Sequence, residues 1–143
     1  MSRTARVDNT CQVVRAIEAY VGKQGPTYAG GVSAEAVGAQ AIWLGTVTMP
    51  PGSRTRAHIH ASHETALYVL HGECDLWFGE ALEHHEVAGA GHYLYIPAGI
   101  PHVAVNRSQT EPFVVVGART DSSEQESVVL RPDLDNQVPD AAI

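Results

Sequence analysis

The sequence is poor in the features that mark several functional classes. It has nine Lys and Arg against sixteen Asp and Glu, and Lys23 is its only lysine. This disfavours a nucleic-acid partner, because phosphate binding needs clustered basic side chains. No apolar run approaches the roughly 20 residues of a membrane span, and residues 1–10 lack the apolar core of a secretory signal. The two cysteines form no CxxC pair, which is typical of a reducing compartment. We therefore expect a cytoplasmic protein that contacts neither nucleic acid nor membrane.

What the sequence does contain is a series of short β-type segments. The chain has 143 residues, 44% of them hydrophobic, which fits one globular domain. From residue 41 onward, β-branched and aromatic residues are interrupted by Gly or Pro every eight to twelve positions, a pattern typical of a β-sandwich or barrel. The predicted strands lie within residues 41–49, 54–60, 64–72, 73–79, 91–99, 102–108 and 112–120. Most of their aromatic side chains are expected to fill the interior: Trp43, Tyr68, Trp77, Tyr93, Tyr95 and Phe113.

The domain organisation follows from the same pattern. Residues 1–40 are expected to form an N-terminal extension that contributes strands or dimer contacts, and residues 41–120 the barrel. Residues 121–143 form a polar C-terminal tail, in which residues 127–130 could add an edge strand. The run Glu-His-His-Glu at 83–86 is expected to be an exposed loop.

Four of the eight histidines lie within residues 52–72. Side chains at positions i and i+2 of a strand point to one face, so His58 and His60 present two imidazoles side by side. Glu64 offers a carboxylate four residues later, and His102 follows the rigid turn 97–101. Imidazoles and carboxylates bind divalent transition metals, so these residues predict a metal site with open positions for a substrate.

Two motifs in this region resemble those of the cupin superfamily. The first runs from Gly52 through His58, His60 and Glu64 to Gly72. The second is GHYLYIPAGIPHVAVN, whose matching residues are Gly91, Pro97, Gly99, His102 and Asn106. The two motifs occur in order and are separated by about eighteen residues. The resemblance covers residues 52–106.

The resemblance implies an all-β, single-domain cupin: a jelly-roll β-barrel with an N-terminal extension and a divalent metal inside. The implied metal ligands are His58, His60, Glu64 and His102. The family's glutamate stands seven residues before the closing glycine, where this chain has Thr65. The spacing from His60 favours Glu64, whereas alternation counted back from Gly72 puts His63 and Thr65 on the opposite face and makes His63 the alternative ligand.

The function implied is that of a small-molecule metalloenzyme. Dioxygenase-like chemistry on a hydroxylated or dicarbonyl substrate is the first hypothesis, with Fe(II) favoured and Mn, Ni, Zn or Cu as alternatives. Glu64 and Tyr68 are the candidate catalytic residues for proton transfer, because they share a strand face if Glu64 faces the metal. The alternatives are a metal-dependent isomerase or lyase on a carbonyl or sugar-type substrate, and a non-catalytic small-molecule-binding cupin. A homodimer is expected, since pairing protects an edge strand.

Overall fold

Most of the regular secondary structure in the described part of the chain is β-strand, as the sequence predicts. A computed structural model describes residues 10–139. In this part of the chain no helix is long and apolar enough to cross a bilayer. The helical elements are α1 (Ala34–Val37) and a 3₁₀ helix (Pro132–Gln137). The strands are β1 (Tyr20–Val21), β2 (Thr27–Val32), β3 (Trp43–Met49), β4 (His58–His60), β5 (Thr65–His71), β6 (Glu73–Phe78), β7 (His84–Gly89), β8 (Tyr93–Ile96), β9 (His102–Val105), β10 (Phe113–Arg119) and β11 (Val128–Leu130).

The strands form two antiparallel sheets. The larger sheet has the order β1-β2-β3-β10-β5-β8, and the smaller has the order β11-β4-β9-β6-β7. Consecutive strands repeatedly change sheet, which is the arrangement of a jelly roll. The strands β1 and β2 of the N-terminal segment extend the larger sheet. The predicted fold class is therefore confirmed.

The core lies between the two sheets. Its buried members come from both: Met49, Val69, Phe113 and Val115 from the larger sheet, and Cys74 and Ala88 from the smaller. Burial raises the pKa of the Cys74 thiol to about 12, so this side chain stays protonated at neutral pH. Cys74 is therefore a small packing residue and not a nucleophile.

Strand alternation sends several of the predicted core aromatics outward. Trp43 and Phe113 are buried, as expected. In contrast, Tyr68, Tyr93 and Tyr95 lie on the outer face of the larger sheet and are 37%, 79% and 60% exposed. The prediction for these three tyrosines is wrong, because apolar residues occupy both faces of β5 and β8 and composition alone does not tell the faces apart.

The predicted loop at 83–86 also differs from the structure. Residues 84–89 form β7, an edge strand that pairs with β6 over its whole length. Its side chains at 84–87 are exposed, as the polar composition suggests. The predicted exposure is therefore confirmed, but the predicted loop is wrong. An edge strand with a solvated face accepts charged residues, so a polar composition does not distinguish it from a loop.

Gly45 provides a direct test of how β2 packs against β3. A Cβ atom at this position would lie 2.2 Å from the Ala29 carbonyl oxygen and 2.8 Å from the Gly30 Cα atom. We expect Gly45→Ala to lower the free energy of unfolding by about 1–3 kcal/mol, the usual cost of overpacking. The matched control is Gly31→Ala in β2, whose Cβ would meet only the Leu44 carbonyl oxygen at 3.7 Å. Urea unfolding measures both; equal losses would contradict this packing.

Candidate metal centre

Three buried histidines meet between neighbouring strands of the smaller sheet. His58 and His60 lie on β4, and His58 is directly opposite His102 of β9. The ring centroid of His102 lies 4.2 Å from that of His58 and 4.7 Å from that of His60. One donor nitrogen from each ring lies within 4.8 Å of the other two. The two motifs thus bring their histidines together, with all three side chains 3–4% exposed.

Hydrogen bonds fix the orientation of these rings. Nδ1 of His58 lies 2.7 Å from the Arg56 carbonyl oxygen, and Nδ1 of His102 lies 2.9 Å from the Ile100 carbonyl oxygen. A carbonyl oxygen only accepts, so both Nδ1 atoms carry the proton and both Nε2 atoms keep a free lone pair. Nδ1 of His60 is hydrogen-bonded to the Thr65 hydroxyl at 3.1 Å. Partners of this kind orient the histidine ligands of metal sites.

The electrostatic environment keeps the three rings neutral. Burial lowers the pKa of His58 well below its ordinary value, and it lowers that of His102 as well. Burial, together with the neighbouring His102, lowers the pKa of His60 to about 3. Neutral imidazole is the form that binds a metal ion.

A carboxylate joins this group from the C-terminal part of the chain. Glu126 is buried, and its Oε2 lies 2.6 Å from Nε2 of His63 and 3.8 Å from Nε2 of His60. His60, His63 and Glu126 form a second set of donor atoms within 4.8 Å of one another. His60 belongs to both sets, so four imidazoles and one carboxylate form one continuous buried cluster.

Glu126 is held in its ionised form. Burial alone would raise its pKa, but the hydrogen bond with His63 and the charge of Arg119 outweigh burial and lower the pKa to about 2. Arg119 Nη1 lies 3.7 Å from Oε1 of Glu126, and Gln24 Nε2 donates to the same oxygen at 2.6 Å. The guanidinium of Arg119 also lies over the Trp43 ring, 4.1 Å from its centroid.

The loop before β11 is organised around two charged groups, Asp121 in the loop and Arg119 at the end of β10. The Asp121 carboxylate accepts hydrogen bonds from the backbone N–H groups of Ser123 and Ser127, at 3.1 and 2.7 Å. Arg119 Nη2 donates to the Glu124 carbonyl oxygen at 2.9 Å. The strand β11 then pairs with β4, with Val128 opposite His60. These contacts place Glu126 beside the histidines.

Two residues expected in the site lie elsewhere, which corrects the sequence-based placement. Glu64 is exposed, and its carboxylate accepts a hydrogen bond from the Tyr95 hydroxyl. Tyr68 lies on the outer sheet face against Tyr93, with ring centroids 4.9 Å apart. Since β5 begins at Thr65 with that side chain inward, Glu64 is not among the buried donor groups and Tyr68 points away from them. His63, the alternative to Glu64, is in the cluster.

The cluster borders a cavity of about 80 Å³ between the two sheets. His58, His60 and His102 line it, together with Glu126 and Arg119. The rest of its wall is mainly apolar and includes Trp43, Met49, Leu67, Ile96, Phe113 and Val115. The cavity can therefore admit a few atoms of a ligand next to the histidines, in mainly apolar surroundings.

Sequence reasoning missed Glu126 and Arg119. The one available signal was the predicted edge strand at 127–130, which agrees with β11. Glu126 precedes this strand, and β11 pairs with β4, the strand of His58 and His60. The sequence does not show which strand β11 pairs with, so Glu126 could not be recognised as a candidate ligand.

Comparisons with known proteins agree with the fold. A family model described as a cupin domain matches residues 45–118, more than half of the chain. No curated protein matches the chain in sequence. In fold the chain is similar to a Klebsiella pneumoniae protein with a double-stranded beta-helix domain, at 19% identity and a TM-score of 0.60, with 73% of this chain and 83% of that chain covered.

An enzyme and a putative enzyme are among the similar structures. Oxalate decarboxylase of Lactobacillus farciminis, solved as a formate complex, has 17% identity and a TM-score of 0.66 over 86% of this chain and 36% of that chain. A putative sugar phosphate isomerase from Acidithiobacillus ferrooxidans has 22% identity and a TM-score of 0.57 over 73% of this chain and 67% of that chain. Likeness at these identities shows the fold alone. Together with the matched family model, it establishes that the chain belongs to the cupin family.

Proposed function

We propose that the chain is a metal-dependent cupin enzyme in which His58, His60 and His102 hold a divalent transition metal and Glu126 supplies the carboxylate. The observation that carries this proposal is the convergence of three neutral imidazoles on one cavity, two of them with Nδ1 bonded to a carbonyl oxygen and Nε2 free. Histidines with one carboxylate are typical of non-haem Fe(II) sites, so Fe(II) is the favoured metal, with Mn, Ni, Zn and Cu as alternatives.

The reaction we propose is dioxygenase-like and acts on a small hydroxylated or dicarbonyl compound. A bound metal would polarise a substrate oxygen and, if redox-active, transfer electrons to O₂. The chain's own residues contribute orientation and exclusion of water. Thr65 and the carbonyls of Arg56 and Ile100 fix the imidazoles, while the apolar wall of the cavity keeps the reacting atoms apart from solvent.

Elemental analysis followed by oxygen-uptake measurements tests this function. The chain is loaded with Fe(II) and offered a panel of flavonols, catechols and diketones. We expect O₂ consumption with at least one class, and we expect His60→Ala to reduce it to the rate of the metal-free protein. His71→Ala is the control, since His71 is exposed on β5, lies outside the cluster and lines none of the neighbouring cavities. A fully loaded protein that turns over no compound in the panel would contradict the oxygenase and favour a binding module.

The buried pair of His63 and Glu126 favours a second candidate, a metal-dependent isomerase or lyase. Their 2.6 Å hydrogen bond lies beside His60, where a proton could be held or moved near a carbonyl substrate. Incorporation of solvent deuterium into a carbonyl substrate without O₂ uptake would select it over the dioxygenase.

A further inference from the structure

A second and larger cavity adjoins the metal centre from outside. It has a volume of about 510 Å³ and is formed by residues 76–84 of the β6–β7 hairpin and residues 95–102 between β8 and β9. We call this cavity the vestibule. Small-molecule sites usually measure about 300–1,000 Å³, so its size is suitable for an organic ligand.

The vestibule and the inner cavity share a wall. Leu76, Ile96 and His102 line both. The inner cavity of about 80 Å³ is smaller than the roughly 150 Å³ that accommodates benzene. A ligand with an aromatic ring therefore has room in the vestibule but not in the inner cavity, and its ring would rest against the wall that contains His102.

The rim of the vestibule is held in place before any ligand arrives. The side chain of Leu82 is 2% exposed and packs in a second core cluster, although its backbone φ is +52°. The backbone N–H of Gly79 donates to the Pro101 carbonyl oxygen at 3.0 Å, which ties the two halves of the rim together. A preformed rim lowers the entropic cost of binding.

The exposed part of the rim is aromatic and acidic. Phe78 and Tyr95 line the vestibule, and the ring of Phe78 lies 5.4 Å from that of His84. Glu80 and Glu83 line it as well. Backbone N–H groups of Glu83 itself and of Ala81 lower the pKa of the Glu83 carboxyl, so it carries its negative charge at neutral pH.

Nearby charges do not reverse this sign. The carboxylate of Glu64, which accepts a hydrogen bond from the Tyr95 hydroxyl, adds a further negative group nearby. Arg131 lies near enough to Glu80 to feel its charge, but its guanidinium is bound to the Asp133 carboxylate at 3.1 and 3.0 Å. None of the described residues that line the vestibule is Lys or Arg. Aromatic faces with adjacent carboxylates attract cations and repel anions.

We propose that the vestibule is a binding site for small aromatic amines, with the ring against Phe78 and the ammonium group facing Glu80 and Glu83. The same site rejects carboxylates and phosphates. That this ligand is also the enzyme's substrate rests on the proposed function, whereas its binding to the vestibule does not.

Two probes with the same ring and opposite charge test the site: phenethylamine and phenylacetate. Binding of each to the metal-free chain of residues 1–143 is measured by NMR titration at low ionic strength. We expect phenethylamine to bind at least about tenfold more tightly, a difference that one or two carboxylates near an exposed cation can supply. The double variant Glu80→Gln with Glu83→Gln should bring the two affinities close together. Phe78→Ala should weaken the binding of both probes.

Glu111→Gln is the matched control, because Glu111 is an exposed glutamate outside the vestibule and is paired with His71. It should leave the tenfold preference unchanged. Equal binding of the two probes, tighter binding of phenylacetate, or no binding of either would overturn the proposal. Because the protein is metal-free in this titration, the result is independent of oxygen uptake and of metal loading.

Discussion

Replacing His60 by alanine is expected to weaken binding of Fe(II) or Zn²⁺ by more than about 100-fold, a larger loss than the 10–100-fold typical when only a partner of a ligand is removed. The reason is the position of His60 in both sets of donor atoms, with His58 and His102 on one side and His63 and Glu126 on the other. Competition with a chromogenic chelator measures the affinity of the folded variant.

The control for this experiment is His84→Ala, which removes an exposed imidazole from the edge strand β7. Its metal affinity should stay within a factor of about two of the unmodified chain, in line with the small effects of most surface substitutions. Circular dichroism establishes that both variants are folded. Equal losses of affinity in the two variants would show that the centre lies elsewhere.

A second large effect is expected at Glu126. Glu126→Gln keeps the shape of the side chain and one oxygen donor but removes the negative charge, so we expect a smaller loss of metal affinity than at His60, about 10–100-fold. The substitution also leaves Arg119 buried without its carboxylate, and therefore thermal unfolding is monitored alongside metal titration. The measurement is made at temperatures where the variant is folded.

Glu64→Gln is the matched variant, since it makes the same chemical change at the carboxylate that the motif spacing favours. Glu64 is exposed and bound to the Tyr95 hydroxyl, so metal affinity should be unchanged. If Glu64→Gln weakened metal binding more than Glu126→Gln, the carboxylate ligand would be Glu64 and the arrangement around Glu126 would be structural only.

The sequence predicts well that the three histidines of the two motifs come together. Two imidazoles at i and i+2 in a strand must share a face, and both His58 and His60 are buried on one face of β4. His102 follows the turn 97–101, which fixes where β9 begins opposite β4. Local geometry and two well-spaced motifs are sufficient for these three residues.

Glu64 and Tyr68 show where the same reasoning fails. Alternation in β5 buries Thr65 and Val69 and exposes Ala66, Tyr68 and Leu70. Counting back from Gly72 gives this parity, whereas counting forward from His60 passes through a turn in which side-chain direction does not alternate. The two counts disagree by one residue, and a shift of one residue moves the whole set of side chains to the opposite face.

Glu126 could not be predicted because its position depends on contacts between distant parts of the chain. Its loop is shaped by Asp121 and Arg119, and its strand pairs with β4 from the far end of the sequence. The vestibule is likewise formed by two separate segments, and its acidic character appears only when they are brought together.

The pairing of β11 with β4 has a consequence for the end of the chain. If Glu126 strengthens metal binding, the metal must by reciprocity strengthen attachment of the segment that carries Glu126 to the rest of the molecule. Loss of the metal ion would then loosen residues 120–130 selectively. Resistance of this segment to proteases would therefore report whether the protein has metal bound.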